Sequence, residues 1–216
     1  MTDTASSKEL PAEPFWSRVR TALSTLRATQ GQPSYGKAAI ARSMGMKPRL
    51  GGRIEDELAQ GWNHAASRRV SLSLLVMEID HYREYFAAYG RNDADECVTA
   101  VMRVITDALP RSSDSCLRLG ASSFVIVLPD LPALMARATA LKISEAVRDM
   151  ALPHKESHLG IVTLGAGLAV INPQGGYDRK FFEAAAATLK KARRKGMGKL
   201  EALDLRPAQE RKRRAA

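Results

Sequence analysis

The sequence predicts an α/β (α+β) domain in which helices cover a central, mainly antiparallel sheet. Three observations lead to that class. Apolar runs of strand length alternate with longer segments whose apolar residues recur at three- and four-residue steps. Two of the short runs are joined by a glycine-led turn, Gly120-Ala121-Ser122-Ser123, which sets a hairpin at the centre of the order α-β-α-β-β-α-β-α-β. The composition, 45% hydrophobic and 26% charged over 216 residues, is that of one ordinary globular domain with extensions.

Residues 1–13 are small, polar and Pro-containing, a composition that predicts disorder. Over 14–47, Phe15, Trp16, Val19, Leu23 and Leu26 mark an amphipathic helix, which GQPSYG at 31–36 ends before a linker. The compact domain is placed at 48–205. It opens on a helical stripe of Ile54, Leu58, Trp62 and Ala65, closed by Arg68-Arg69. Val70 to Ile79 reads as a buried strand. Cys97, Val98, Val101, Met102, Ile105 and Leu109 define the next helix, ended by Pro110. Cys116–Leu119 and Phe124–Leu128 flank the Gly120 turn as the hairpin strands. A helix after Pro132 is expected to turn Leu134, Ala138, Leu141 and Val147 inward. Leu159 to Val170 is expected as one long strand whose glycines at 160, 165 and 167 mark close backbone approach. Residues 178–195 form an alanine-rich helix that ends in cations, with Gly196 as its cap and Leu200–Leu205 as a last strand. A basic tail occupies 206–216.

The net charge of +10 is concentrated in one place: residues 190–216 hold eleven Lys/Arg against three acids and supply +8 of it. That distribution argues against a whole-body or sequence-specific nucleic-acid surface and leaves a basic terminal helix and tail. Cys97 and Cys116 lack the spacing of a zinc site or a disulfide framework. His64, His81, His154 and His158 share no metal-binding spacing. No apolar run approaches the ~18 residues of a membrane span, and the first residues lack a signal-peptide layout, so the expected location is cytoplasmic.

Arg111 and Asp114, three apart just ahead of the hairpin, have a spacing suited to gripping a phosphate and a base edge. The bland alternative is a surface Arg-Asp pair capping a turn. Glu78 and Asp80 at the end of the first strand read as strand-end carboxylates, solvated or paired with Arg83. Asp95 reads as an early-helix acid that complements the dipole.

Four blocks together resemble the GGDEF domain of diguanylate cyclases. LLVMEIDHYREYFAAYGRNDADE (74–96) is similar to the strand and helix around D-[IV]-D-x-F-K-x-x-N-D-x-x-G-H-x-x-G-D. RLGASSF (118–124) stands where R-Y-G-G-[DE]-E-F belongs. GIVTLGAGLAV (160–170) resembles the T-x-S-x-G-x-A strand, and TLKKARRKGMGK (188–199) resembles A-L-Y-x-A-K-x-x-G-R-N. The resemblance implies the cyclase-like palm fold and, for an intact member, condensation of two GTP into cyclic di-GMP. That chemistry needs carboxylates holding two divalent cations against the triphosphate. The implied metal ligands fall on Glu78 and Ser122, and Ser123 replaces the other hairpin acid. The implied base contacts fall on Phe86 and Asp95, and the phosphate contacts on Arg83, Arg193 and Met197. Gly120 keeps the first hairpin glycine, while Ala121 replaces the second.

This pattern predicts a degenerate member with little or no catalysis, needing no cofactor, and Mg2+ only if some cyclase activity remains. The Glu78, Ser122 and Ser123 positions are the degenerate catalytic ones; Asp80, Arg83, Asp95, Gly120 and Arg193 are a remnant nucleotide site. The R-x-x-D of the family's inhibitory site for cyclic di-GMP falls on Arg111 and Asp114, five residues ahead of Gly120, with Lys142 or Arg137 as the completing cation. The expected role is a cyclic di-GMP-binding or protein-interaction module in bacterial signalling, with a partner or homodimer contact through the N-terminal helix. The alternatives are a weak or atypical cyclase and a nucleotide-independent scaffold.

Overall fold

The computed structural model describes residues 50–207. The expected N-terminal disorder, amphipathic helix and linker lie outside the described residues, as does the basic tail beyond Pro207. Nine elements follow one another there: α1 (Leu50–Arg68), β1 (Leu72–Ile79), α2 (Tyr82–Asp107), β2 (Ser115–Leu119), β3 (Ser123–Pro129), α3 (Ala133–Asp149), β4 (Leu164–Ile171), α4 (Lys180–Arg194) and β5 (Leu200–Asp204).

The strands form one sheet in the order β2-β3-β1-β4-β5. β1 is central and antiparallel to both β3 and β4, β2 pairs antiparallel with β3, and only β4–β5 is parallel. Helices cover both faces, so β1 and β4 are buried along nearly their whole length. On one face, Ile54, Leu58, Trp62 and Ala65 of α1 and Phe181, Ala185 and Leu189 of α4 pack on Leu72, Leu74, Val76, Val125 and Val127. The four-residue steps in α1 are the reason that helix forms and docks there. Trp62 donates its indole N–H to the Gly175 carbonyl at 3.0 Å and meets Tyr177 and Phe181 edge-on, which holds the β4–α4 loop down.

α4 lies unusually close to β4. A β-carbon on Gly167 would fall 2.2 Å from the Leu189 nitrogen and 2.5 Å from the Ala185 carbonyl oxygen, so the helix needs a glycine beneath it.

Three expectations need correction. α3 turns Ala136, Thr139, Ala140, Ile143, Ser144 and Val147 inward, while Leu134 is 77% and Leu141 48% exposed and Ala138 faces out. The helix carries two apolar stripes, and the slimmer one, with Ala136 and Ala140, is the one that packs. β4 begins at Leu164, not Leu159: Gly160, with φ +70°, turns the chain and Pro153 bridges Ile161 ahead of it. Helix α2 starts at Tyr82, well before Cys97, and breaks at Gly90, whose φ of 79° and ψ of −179° are non-helical.

Candidate functional site

One pole of the sheet gathers the C-terminal end of β1, the hairpin tip, the start of β4 and the end of α4. Register alone brings Glu78 opposite Ser123 on one side and Gly165 on the other. The Ile79 N–H donates to the Ser122 carbonyl and the Asp80 N–H to the Thr163 carbonyl, each at 3.0 Å, so the hairpin and the β4 entry are pinned to β1.

The two carboxylates of this strand end are both engaged inside the chain. Glu78 accepts from the Arg193 guanidinium at 2.6 Å. Asp80 is only 4% exposed. One of its oxygens accepts from the Thr163 hydroxyl at 2.7 Å and from the Gly198 N–H at 2.8 Å. Asp80 is therefore neither solvated nor paired with Arg83, which is exposed; it is a clasp that ties the α4–β5 turn to the sheet. Thr163 and Gly198 are partners that sequence reasoning missed, since nothing in their local pattern marks them as facing Asp80 across 83 and 118 residues.

At the hairpin, Gly120 has φ +69°, which suits glycine, and Ala121 is exposed. Ser122 is buried, and Ser123 is partly so. Arg118 caps the tip by donating to the carbonyls of Gly120 (3.1 Å) and Ala121 (2.9 Å) and stands 3.9 Å from Asp95. Asp95 also lies 3.8 Å from Arg91. Tyr82 and Phe86 form a tilted aromatic pair with centroids 6.4 Å apart. Burial, and secondarily the Asp95 charge, push the Tyr82 hydroxyl pKa up. Phe86 is 45% exposed and offers no hydrogen bond to a base edge.

These donors do not suit the two divalent cations that GTP condensation requires. The hairpin contributes hydroxyls where carboxylates would be needed, Glu78 is already paired with Arg193, and one Asp80 oxygen already accepts two donors. Among the described residues no three His, Cys, Asp or Glu side chains converge as a metal site.

Arg111 and Asp114 do come together, but on each other. The Arg111 guanidinium donates to Asp114 at 2.8 Å, to the Asp130 carbonyl at 2.9 Å and to the Pro129 carbonyl, and the Arg111 N–H also donates to Asp114. The Asp114 side chain is 0% exposed. The pair therefore ties the α2–β2 loop to the end of β3, beyond the exposed capping pair considered from sequence. The Arg111 Nε is buried without a partner. Arg137 and Lys142, on α3, are both exposed.

A five-stranded sheet with a hairpin-bearing pole and helices on both faces is the architecture of nucleotidyl-cyclase-like domains. The family model described as "Diguanylate cyclase, GGDEF domain" matches residues 52–199, and the chain belongs to this GGDEF family. Among curated proteins it is 30% identical over 131 residues to "Probable diguanylate cyclase DgcC" of Escherichia coli K12, covering 60% of this chain and 34% of that protein. It is 29% identical over 138 residues to "Diguanylate cyclase DosC" of the same organism, covering 64% and 30%. The match thus spans about a third of these relatives' length.

Among solved structures, the GGDEF domain of DgcB from Caulobacter crescentus in complex with c-di-GMP aligns with a TM-score of 0.61 at 25% identity, covering 69% of this chain and 85% of that one. The diguanylate cyclase SiaD from Pseudomonas aeruginosa, in complex with its activator SiaC, aligns with a TM-score of 0.63 at 19% identity, covering 88% and 74%. Among the described residues no helix is long and apolar enough to cross a membrane.

Proposed function

We propose that this GGDEF domain makes no cyclic di-GMP and works by binding, as a cytoplasmic signalling module that takes cyclic di-GMP or a protein partner. The observation that carries the reading is the state of the catalytic pole. Ser122 and Ser123 supply no negative charge, and the Glu78 carboxylate is held by Arg193 at 2.6 Å. Charge developing on transferring phosphoryl oxygens would have no cation held against it. Losing one such electrostatic contribution costs about 10²–10³ in rate, and here several are missing together. Purified protein incubated with GTP and Mg2+ or Mn2+ is expected to yield no cyclic di-GMP by chromatography. Steady turnover that Glu78→Ala abolishes would instead establish the weak cyclase that uses Glu78, Asp80 and Arg83.

The ligand half rests on Arg111 and Asp114 and on the DgcB relative seen with c-di-GMP. Cyclic di-GMP has to draw the Arg111 guanidinium off the Pro129 and Asp130 carbonyls, and Arg137 or Lys142 supplies the second cation. Calorimetry is expected to show micromolar binding that Arg111→Ala removes while the variant remains folded by circular dichroism. The second reading, a scaffold that ignores nucleotides, is favoured by the buried Asp114 carboxylate, which cannot meet a guanine edge without rearrangement. No heat of binding with the wild type selects it. The SiaD relative with its activator protein shows a partner of that kind for that protein, and the segment 14–28 is the proposed partner or homodimer contact here.

A further inference from the structure

Helix α3 leaves an apolar stripe uncovered on its outer face. Leu134, Met135 and Leu141 are 77%, 54% and 48% exposed, three of the six large hydrophobics that stand out among the described residues. Leu134, Ala138 and Leu141 follow one another at i, i+4 and i+7, so they form a single stripe about 10 Å long. Met135 widens it at the N-terminal end. Ala136, Ala140, Ile143 and Val147 already fill the core side of the helix, so the outer stripe is not needed to close the core. Exposed apolar residues gathered on one face mark an interaction site, whereas scattered ones do not.

Cations flank that stripe. Arg137 and Arg148, about three turns apart, lie along one flank, and Lys142 lies along the other. All three are exposed, and none forms an ion pair among the described residues, although Glu145 stands at i,i+3 spacing from both Lys142 and Arg148. The helix dipole accounts for Arg148 in the last turn, but Arg137 and Lys142 lie further in. Cations along both flanks of an apolar stripe, on a helix backed by a sheet, complement a second helix of matching spacing that carries carboxylates on its own flanks.

We propose that the outer face of α3 docks an acidic amphipathic helix of a partner protein. The partner's apolar stripe lies on Leu134, Ala138 and Leu141, and its flanking carboxylates meet Arg137, Arg148 and Lys142. This surface rests on the protein-partner half of the proposed function and gives that partner a chemistry. A second copy of the chain fits less well: an antiparallel pair brings the Arg137–Arg148 flank of each helix against the same flank of the other, cation on cation. An anionic lipid surface also fits less well, because Glu145 follows Leu141 by one turn along the stripe and would be pressed among like charges.

The test uses the full chain and fluorescence anisotropy with a labelled synthetic peptide of about 18 residues, five helical turns, with leucine along one stripe and glutamate on both flanks. At low salt it should bind with a Kd on the order of 10–100 μM, as a small interface below about 1,200 Å² gives, and added salt should weaken it. Leu134→Ala/Leu141→Ala, at exposed positions, should keep the melting temperature and weaken binding about tenfold. Arg148→Glu should weaken the glutamate peptide and strengthen a lysine-flanked one, an exchange that a purely structural role would not produce. Trp16→Glu/Leu23→Glu, which alters the 14–28 segment, should leave peptide binding unchanged, so the two partner surfaces fail independently. Cyclic di-GMP calorimetry on the Leu134→Ala/Leu141→Ala variant should match the wild type, so a failure of the nucleotide reading is seen separately. No binding of the glutamate peptide at about 1 mM overturns the proposal. So does equal binding of the lysine-flanked peptide by the wild type, or binding that Leu134→Ala/Leu141→Ala leaves intact or Trp16→Glu/Leu23→Glu abolishes. Self-association in sedimentation, or binding to phosphatidylcholine–phosphatidylglycerol vesicles, that Leu134→Ala/Leu141→Ala abolishes would likewise overturn it.

Discussion

Replacing Asp80 by alanine tests whether this carboxylate is structural. Its oxygen accepts from the Thr163 hydroxyl at 2.7 Å and the Gly198 N–H at 2.8 Å in a place only 4% exposed. Hydrogen bonds to a charged group contribute roughly 1.5–3 kcal/mol each, and alanine leaves both donors without a buried acceptor. The expected loss is therefore about 3–5 kcal/mol, a large part of a typical domain's 5–15. Asparagine retains one acceptor and should lose about half as much. Urea unfolding followed by circular dichroism measures the difference, and exchange of the Gly198 amide should accelerate in step. Thr163→Val removes one donor and should show strong coupling to Asp80→Ala in a double-mutant cycle. A loss below about 1 kcal/mol for Asp80→Ala, of the size expected for an exposed ligand-site carboxylate, would refute the clasp.

Four further outcomes follow from the same geometry. Gly167→Ala sets a β-carbon 2.2 Å from the Leu189 nitrogen, and should cost about 3 kcal/mol or prevent folding, whereas Gly52→Ala, with nothing within 4 Å, should be neutral or slightly stabilising in thermal melts. Arg111→Ala removes the guanidinium from the buried Asp114 carboxylate and leaves it the backbone N–H at 3.1 Å, so a loss of about 2–3 kcal/mol in urea unfolding is expected, and binding assays on that variant need the fold verified first. Glu78→Gln breaks a partly exposed pair and should change stability by less than about 1 kcal/mol. Burial pushes the Cys97 and Cys116 thiols up to about 12 from an ordinary value of 9.0, and the Tyr177 hydroxyl up to about 12. The fold thus favours their protonated forms. That stability is complete below pH 9 and is lost as pH rises toward 12; a melting temperature unchanged up to pH 11 would contradict it.

Much of the fold is legible in the chain because the patterns there are unambiguous. Ile54, Leu58, Trp62 and Ala65 allow only one helical phase, and they are the face that α1 buries. Gly120 ahead of Ser122 and Ser123 reads as a hairpin tip because β2 and β3 are apolar on either side. In α3 the sequence offers two faces, because Leu134, Ala138 and Leu141 form as good a stripe as Ala136, Ala140, Ile143 and Val147. Periodicity cannot choose between two such faces, and packing against the sheet does. A glycine inside a strand marks close packing at Gly167, and the approach of Leu189 gives the reason.

The site divides in the same way. The serines at 122 and 123 of the hairpin tip, Phe86 on the helix after β1, and the clustering of cations at 190–199 are matters of residue identity. The sequence by itself settles these, together with the family and the order of elements. What each surviving polar group is bonded to depends on residues far away in the chain, so only the tertiary structure decides it. Glu78 meets Arg193 across 115 positions, and Asp80 meets Thr163 and Gly198. Arg111 reaches the carbonyls of Pro129 and Asp130 as well as nearby Asp114. A hydrogen bond is satisfied by whatever donor folding brings within about 3 Å. Sequence spacing therefore singles these groups out, and the fold determines that their first partners lie within the chain.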